Sequence, residues 1–139
     1  MYYNNGGLYD GEWKNDQKHG YGVLYGASDE IIYEGYWKDE KFDGKGKLFN
    51  EEPESDNGFT YMDFDQMYDC WKKYEGEFSN NLKNGEGILY LLNGDKFEGM
   101  FNNDQINGKG VFTKSNGEVI HGEWKQNKLQ YNYCSKENI

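Results

Sequence analysis

Few residues in this chain have the chemistry of catalysis or metal binding, so their spacing decides what they can do. The two histidines, His19 and His121, fall in different parts of the chain, and neither has a second His or Cys at ligand spacing. A metal site needs three or four such donors brought together, so no metal site is expected. Asp63-x-Asp65 lacks the glycine turn and the terminal glutamate of a calcium loop. The Gly-x-Gly pairs beginning at Gly20 are not followed by the Gly-Lys-Ser/Thr of a phosphate loop. Asp10, Glu34, Glu75 and Glu98 return at a fixed interval, whereas an acid–base pair is singular. They read as solvated-face residues. No serine stands in a nucleophile elbow. The sequence predicts no catalytic residue and no cofactor.

Composition narrows the partners. The chain has 139 residues and a net charge of −10, with 25 acidic residues against 15 basic ones, all lysine. Clustered positive charge is what nucleic acid and anionic lipid require, so nucleic acid is excluded and a membrane surface disfavoured. Leu, Ile, Val and Phe number only 25, yet there are 13 Tyr, 4 Trp and 19 Gly. Aromatics must therefore supply the core, in thin layers. Cys70 and Cys134 have no CxxC partner and are expected as thiols in a reducing compartment. The first residues show no signal-peptide pattern. The longest apolar run, Ile88 to Leu92, falls far short of the roughly 20 residues of a bilayer span.

The elements that place these residues come from a repeat. Tyr9-x-Gly11-x-Trp13 returns as Tyr33-x-Gly35-x-Trp37, Tyr74-x-Gly76-x-Phe78 and Phe97-x-Gly99-x-Phe101, then as Ile120-x-Gly122-x-Trp124. Eleven residues after each opening residue comes Gly20-x-Gly22, Gly44-x-Gly46, Gly85-x-Gly87 or Gly108-x-Gly110. The fifth copy carries Tyr131 and Tyr133 there and is degenerate. Openings at 9, 33, 74, 97 and 120 place an insertion at about 50–73. Alternation in each half, with polar turns between halves and Asn93-Gly94 and Asn116-Gly117 between copies, predicts one β-hairpin per copy. A glycine between two aromatics offers flat backbone on which a neighbouring ring can lie.

These motifs resemble the MORN repeat (membrane occupation and recognition nexus). The resemblance rests on Tyr9-x-Gly11-Glu12-Trp13 with His19-Gly20-x-Gly22 and on the three copies after it. It implies an all-β fold: an elongated single-layer antiparallel sheet of consecutive hairpins with a groove along it. It does not imply one activity. Family repeats occur in ciliary and cytoskeletal proteins, in junction-forming membrane proteins, and beside lipid-kinase or methyltransferase domains.

Two segments depart from the lattice. Residues 51–58 read as an acidic loop. After them, Asp63 and Gln66 resemble a capping box, and Phe64, Met67, Tyr68 and Trp71 follow at helical spacing. A short helix over about 64–73 is expected, covering the chain's own aromatic face or docking a partner. The repeat sheet is expected over 1–131, with 132–139 a cap or tail that could extend the last edge or join a second copy.

The expected function is a non-catalytic scaffold or adaptor that holds a helical or extended segment of a partner protein along an aromatic groove. Its candidate residues are Tyr9, Trp13, Tyr33, Trp37, Tyr74, Phe78, Phe97, Phe101 and Trp124, with Phe64, Met67 and Trp71 as added contacts. The resemblance places it in the cytoplasm, in a cytoskeletal or ciliary (axonemal) assembly, with sheet edges available for a homodimer. The alternatives are a phosphoinositide or membrane-surface binder and a regulatory subunit of an enzyme. Lys14, Lys38 and Lys125 recur after the second aromatic, but Ser79 and Asn102 break that row.

Overall fold

A computed structural model describes residues 7–54 and 59–133. Cys134 and the expectation for the last residues of the tail lie outside them. Ten strands form one antiparallel sheet in sequence order: β1 Leu8–Lys14, β2 Gln17–Tyr25, β3 Ile31–Lys38, β4 Lys41–Phe49, β5 Trp71–Ser79, β6 Leu82–Leu91, β7 Lys96–Asn102, β8 Gln105–Thr113, β9 Val119–Lys125 and β10 Lys128–Tyr133. Strands about 4.8 Å apart make a ribbon roughly 45 Å across. Each copy is a hairpin, and consecutive hairpins pair edge to edge. The insertion leaves the sheet after β4 and returns to β5, yet β4 and β5 pair directly, Gly46 opposite Gly76.

Each hairpin closes on two residues of positive φ, as in Asn15-Asp16, Asn80-Asn81 and Asn103-Asp104. That geometry matches the strand twist and suits Asn and Asp. The turns are stitched together across copies. The backbone amides of Glu40, Asn81, Asp104 and Asn127 donate to the carbonyls of Lys18, Phe42, Lys83 and Ile106. Their side-chain oxygens accept the amides of those same four residues at 2.8–2.9 Å. Asp43, Asn84 and Asn107 accept the amide of the first turn residue of the next copy. That explains the polar residue before each Gly-x-Gly. His19, whose slot beside the polar segment between strands reads from the sequence as a turn position, lies within β2 in the first copy.

The first glycine of each pair is a bulge residue of positive φ, +103° at Gly44 and +113° at Gly85, which bends the hairpin. The second glycine lies under a ring. In the fifth copy, without a Gly-x-Gly pair, the bulge shortens and Asn132 moves opposite Gly122, whereas Gly110 sits opposite Gly99 in the fourth. β10 extends the edge to Tyr133.

The expected helix over 64–73 does not form. A single 3-10 turn, Phe64–Gln66, is capped by Asp63, whose side chain accepts the amide of Asp65. Tyr68 then adopts φ +51°, which breaks any helix, and Trp71 to Lys73 join β5. The pairing of Trp71 with Leu91 and Lys73 with Tyr90 outweighs a ten-residue helix, which is marginal alone.

Candidate functional site

A row of glycines crosses the sheet, each opposite the next: Gly11, Gly22, Gly35, Gly46, Gly76, Gly87, Gly99, Gly110 and Gly122. It gives the two faces different characters. On one face the opening rings lie on the glycine backbone. A Cβ added to Gly22, Gly46, Gly87 or Gly110 would fall within 2.5 Å of a ring carbon of Tyr9, Tyr33, Tyr74 or Phe97. The hydroxyls of Tyr9, Tyr33 and Tyr74 donate to the carbonyls of Glu12, Tyr36 and Glu77, three residues on, at 2.8–3.0 Å. Burial raises the pKa of Tyr33 and Tyr74 well above the usual tyrosine value.

The rings interlock edge to face. Tyr9 meets Trp13 and Trp37, Tyr33 meets Trp37 and Phe78, Tyr74 meets Phe78 and Phe101, and Phe97 meets Phe101 and Trp124. Centroids are 4.9–5.8 Å apart, within the favoured range for aromatic pairs. The same contact crosses the insertion, because Tyr33 and Phe78 belong to the copies on either side of it.

A third position closes each unit: Lys18, Phe42, Lys83, Ile106 and Leu129, opposite Trp13, Trp37, Phe78, Phe101 and Trp124. The two lysines place their ammonium groups over rings. Lys18 Nζ lies 5.5–5.8 Å from the centroids of Tyr9, Trp13 and Trp37 and pairs with Glu40 at 2.9 Å. That hydrogen bond holds Glu40 below the usual carboxylate range. Burial pushes Lys83 down, with Asp104 partly opposing it.

The insertion covers the end of this ring face in cis. Phe64 packs on Phe97, Phe112 and Trp124, and Tyr61 on Phe112. Trp124 Nε1 donates to the Tyr61 carbonyl at 2.8 Å. The amides of Leu129 and Phe64 donate to the carbonyls of Met62 and Asn127, so the strap stands where a sixth turn would. Lys128 holds Asp63 and Asp65, and Asn127 Nδ2 donates to Asp65. Met67 and Trp71 pack partly buried against the core.

The expected groove residues are therefore distributed unevenly. Tyr9, Tyr33, Trp37, Tyr74, Phe78, Phe97, Phe101, Trp124 and Phe64 are 0–5% exposed. They form the interior of the ring face. Trp13, at the β1 edge, is 40% exposed. A larger open space lies on the opposite face, which sequence reasoning read only as solvated.

There Gly35, Gly46, Gly76, Gly87 and Gly99 of the row are the floor of a trough of about 780 Å³. One wall carries Glu34, Lys47, Glu75, Ile88 and Glu98, each opposite the next. The other carries Tyr21 and Tyr36, then Lys45 with Glu77, Glu86 with Met100, and Lys109. Five glutamates face three lysines. Tyr36 is 50% exposed, and Tyr21 and Met100 are also exposed. Tyr21 packs edge to face on Tyr36 and donates to Glu34 at 3.1 Å. Burial, then Glu34, raises the Tyr21 pKa. The signal for this face lay in the residues flanking each glycine, whose alternation puts them opposite the rings.

Among the described residues no group of His, Cys, Asp and Glu could hold a metal ion. Nor is any helix among those residues long and apolar enough to cross a membrane. No curated protein matches the chain closely enough to count as a relative. The family model of the MORN repeat matches residues 9–30, 33–49, 74–96 and 97–119. Those are the four hairpins with a complete glycine lattice, and the match stops at the copy that lost its Gly-x-Gly. MORN repeats are binding modules, and this chain belongs to the MORN-repeat family.

Proposed function

We propose that the chain is a non-catalytic scaffold that holds a segment of a partner protein in the glycine-floored trough. One observation carries this reading: Tyr21, Tyr36 and Met100 stand exposed beside a floor of bare backbone. Amphipathic rings beside a flat floor are the composition of protein-binding surfaces. The excess of glutamate over lysine in the walls favours a basic segment, helical or extended, over an acidic one. The trough runs from Tyr21 in β2 to Lys109 in β8, six strand spacings or roughly 29 Å, which accommodates about 19 residues of helix. Placement in a cytoskeletal or ciliary assembly rests on where the resemblance puts other repeats of this kind.

The test compares capture from native cells by the wild-type chain and by Tyr36→Ala/Met100→Ala, both confirmed folded by circular dichroism. The proposal expects a protein captured by the wild type, released by added salt and absent from the variant. Equal capture by both would overturn it. So would uptake of the chain by vesicles of anionic phospholipid at moderate salt, which belongs to a membrane-surface binder. Trp37→Ala and Phe78→Ala are unsuitable here, because those rings are buried and their loss confounds binding with folding.

A further inference from the structure

The trough is built to one interval. Equivalent residues of neighbouring copies lie two strands apart, about 9.6 Å. Glu34 and Tyr36 flank Gly35 on β3, and Glu98 and Met100 flank Gly99 on β7 in the same slots two copies on. The two walls therefore stand two residues apart along each strand, about 6.8 Å. An α-helix, about 10–12 Å across, rides on the walls and leaves the floor empty, whereas an extended chain reaches it. Three residues of β-strand span about 10 Å, but their side chains alternate, so neighbouring copies would meet opposite sides of such a chain. Polyproline II completes a turn in three residues and about 9.3 Å, and shows each copy the same side. The strands beneath are paired on both edges, so an occupant lying across them finds no partner for its own N–H groups. Proline has no N–H to leave unpaired.

The side chains change along the trough. At one end Tyr21 and Tyr36 are exposed and packed edge to face, with centroids 5.4 Å apart. In the middle the charges answer each other: Lys47 lies 3.9 Å from Glu75, and Lys45 stands opposite Glu77. Towards the other end Glu86 and Glu98 take opposite walls on neighbouring strands, beside the exposed Met100. Neither glutamate enters an ion pair among the described residues. We infer that the occupant of the trough is a proline-rich segment in the polyproline II conformation, with a proline on the Tyr21–Tyr36 pair and, six residues along, a lysine or arginine between Glu86 and Glu98. The distance from β3 to β7 is about 19 Å, and six residues of polyproline II cover about 19 Å. Aromatic-lined grooves hold such segments through the proline rings. The basic residue lays its apolar stem on Met100 and its charge between the two carboxylates. The inference rests on the trough being the partner site and narrows what enters it.

The test titrates the full chain with the peptide acetyl-Ala-Pro-Ala-Ala-Pro-Ala-Ala-Lys-Ala-amide and with the same sequence reversed, since the trough is open to either chain direction. Binding is followed by NMR at the backbone amides and the Met100 methyl group. The inference expects saturable shifts at Tyr21, Tyr36, Glu86 and Glu98 with one of the two peptides. Tyr36→Ala should weaken that binding about tenfold. Glu98→Gln should weaken it about threefold or more, and should cost nothing further once the peptide lysine is replaced by alanine. Both residues are exposed, so an unchanged spectrum of the buried rings shows that each variant is folded. Moving the lysine one residue towards the prolines should cost as much as replacing it. The inference is overturned if neither peptide shifts the trough residues. It is also overturned if affinity survives the moved lysine or the exchange of both prolines for alanine. Each of those failures leaves the trough reading intact where capture from cells still depends on Tyr36 and Met100, because that reading stands or falls on its own comparison.

Discussion

On the ring face, Tyr33 and Tyr74 are fully closed off; on the trough face, Tyr36, three residues along from Tyr33, is half exposed. Both faces are built from one set of strands, so strand propensity does not separate them. The glycine row does. On the ring side it lets each ring lie against backbone and meet two rings edge to face. On the trough side the same positions show only backbone, because any side chain there would point at the rings. The strip thus lies beneath a closed face and beneath an open one, and substitutions should sort by which face they touch.

The largest effect is expected at the strip itself. Gly46→Val puts a branched side chain where the Tyr33 ring lies. It should lower unfolding stability by more than about 3 kcal/mol in urea titration, or prevent folding. An effect below about 1 kcal/mol would show that the rings do not need the strip. Next, Phe64→Ala empties the site on Phe97, Phe112 and Trp124, at a cost of about 3 kcal/mol. Faster hydrogen exchange should follow in β9 and β10, with β1–β3 unchanged.

Tyr74→Phe removes only the hydroxyl bond to the Glu77 carbonyl. Phe97 fills that position in the fourth copy, so the expected loss is about 1 kcal/mol. The same variant bears on pH. Burial raises the native pKa of Tyr33 and Tyr74 above the ordinary 10.0. Above pH 10 the unfolded chain therefore loses protons that the native chain keeps. Stability is full below that pH and falls as pH rises beyond it, and Tyr74→Phe should flatten the fall. Lys83 has the opposite sign. Its native pKa lies below 10.5, so the native chain deprotonates first and its contribution improves as pH rises towards 10.5. Lys83→Ile, matching Ile106 in the next copy, should be neutral to mildly stabilising at pH 7 by thermal melting. A loss above about 1 kcal/mol would mean that the cation contributes to the ring face. The smallest effect is expected for Tyr36→Ala, within about 0.5 kcal/mol in stability but with loss of partner capture.

The repeat, its hairpins and the purpose of the glycines were legible because alternation and spacing report directly on which residues share a face. Two things were not. Tyr9-x-Gly11-x-Trp13 shows that the rings share a face but not that they interlock tightly enough to exclude a partner. Closure depends on the third position, and Lys18 and Lys83 there carry charges that normally mark solvent. The reading of 64–73 failed for a related reason. Phe64, Met67, Tyr68 and Trp71 have helical spacing, but β6 takes Trp71 opposite Leu91 and β4 takes Lys73 opposite Phe49, pairings with residues far away in sequence. The trough residues were legible as an exposed row but not as a concavity, because the bend at each bulge is a property of positive-φ glycines and not of the residues in the walls.

In a stack of hairpins each unit leans only on its neighbours, and such arrays fray from their ends. Here the excursion between β4 and β5 reaches forward and fastens itself to the terminal hairpin through Met62, Asp63, Phe64 and Asp65. A ladder that could otherwise unzip rung by rung becomes a closed circuit. β9 and β10 cannot peel away until a segment anchored near the middle of the chain lets go. Melting of the distal half is thereby tied to that of the centre, and an array of near-independent modules behaves there as one cooperative body.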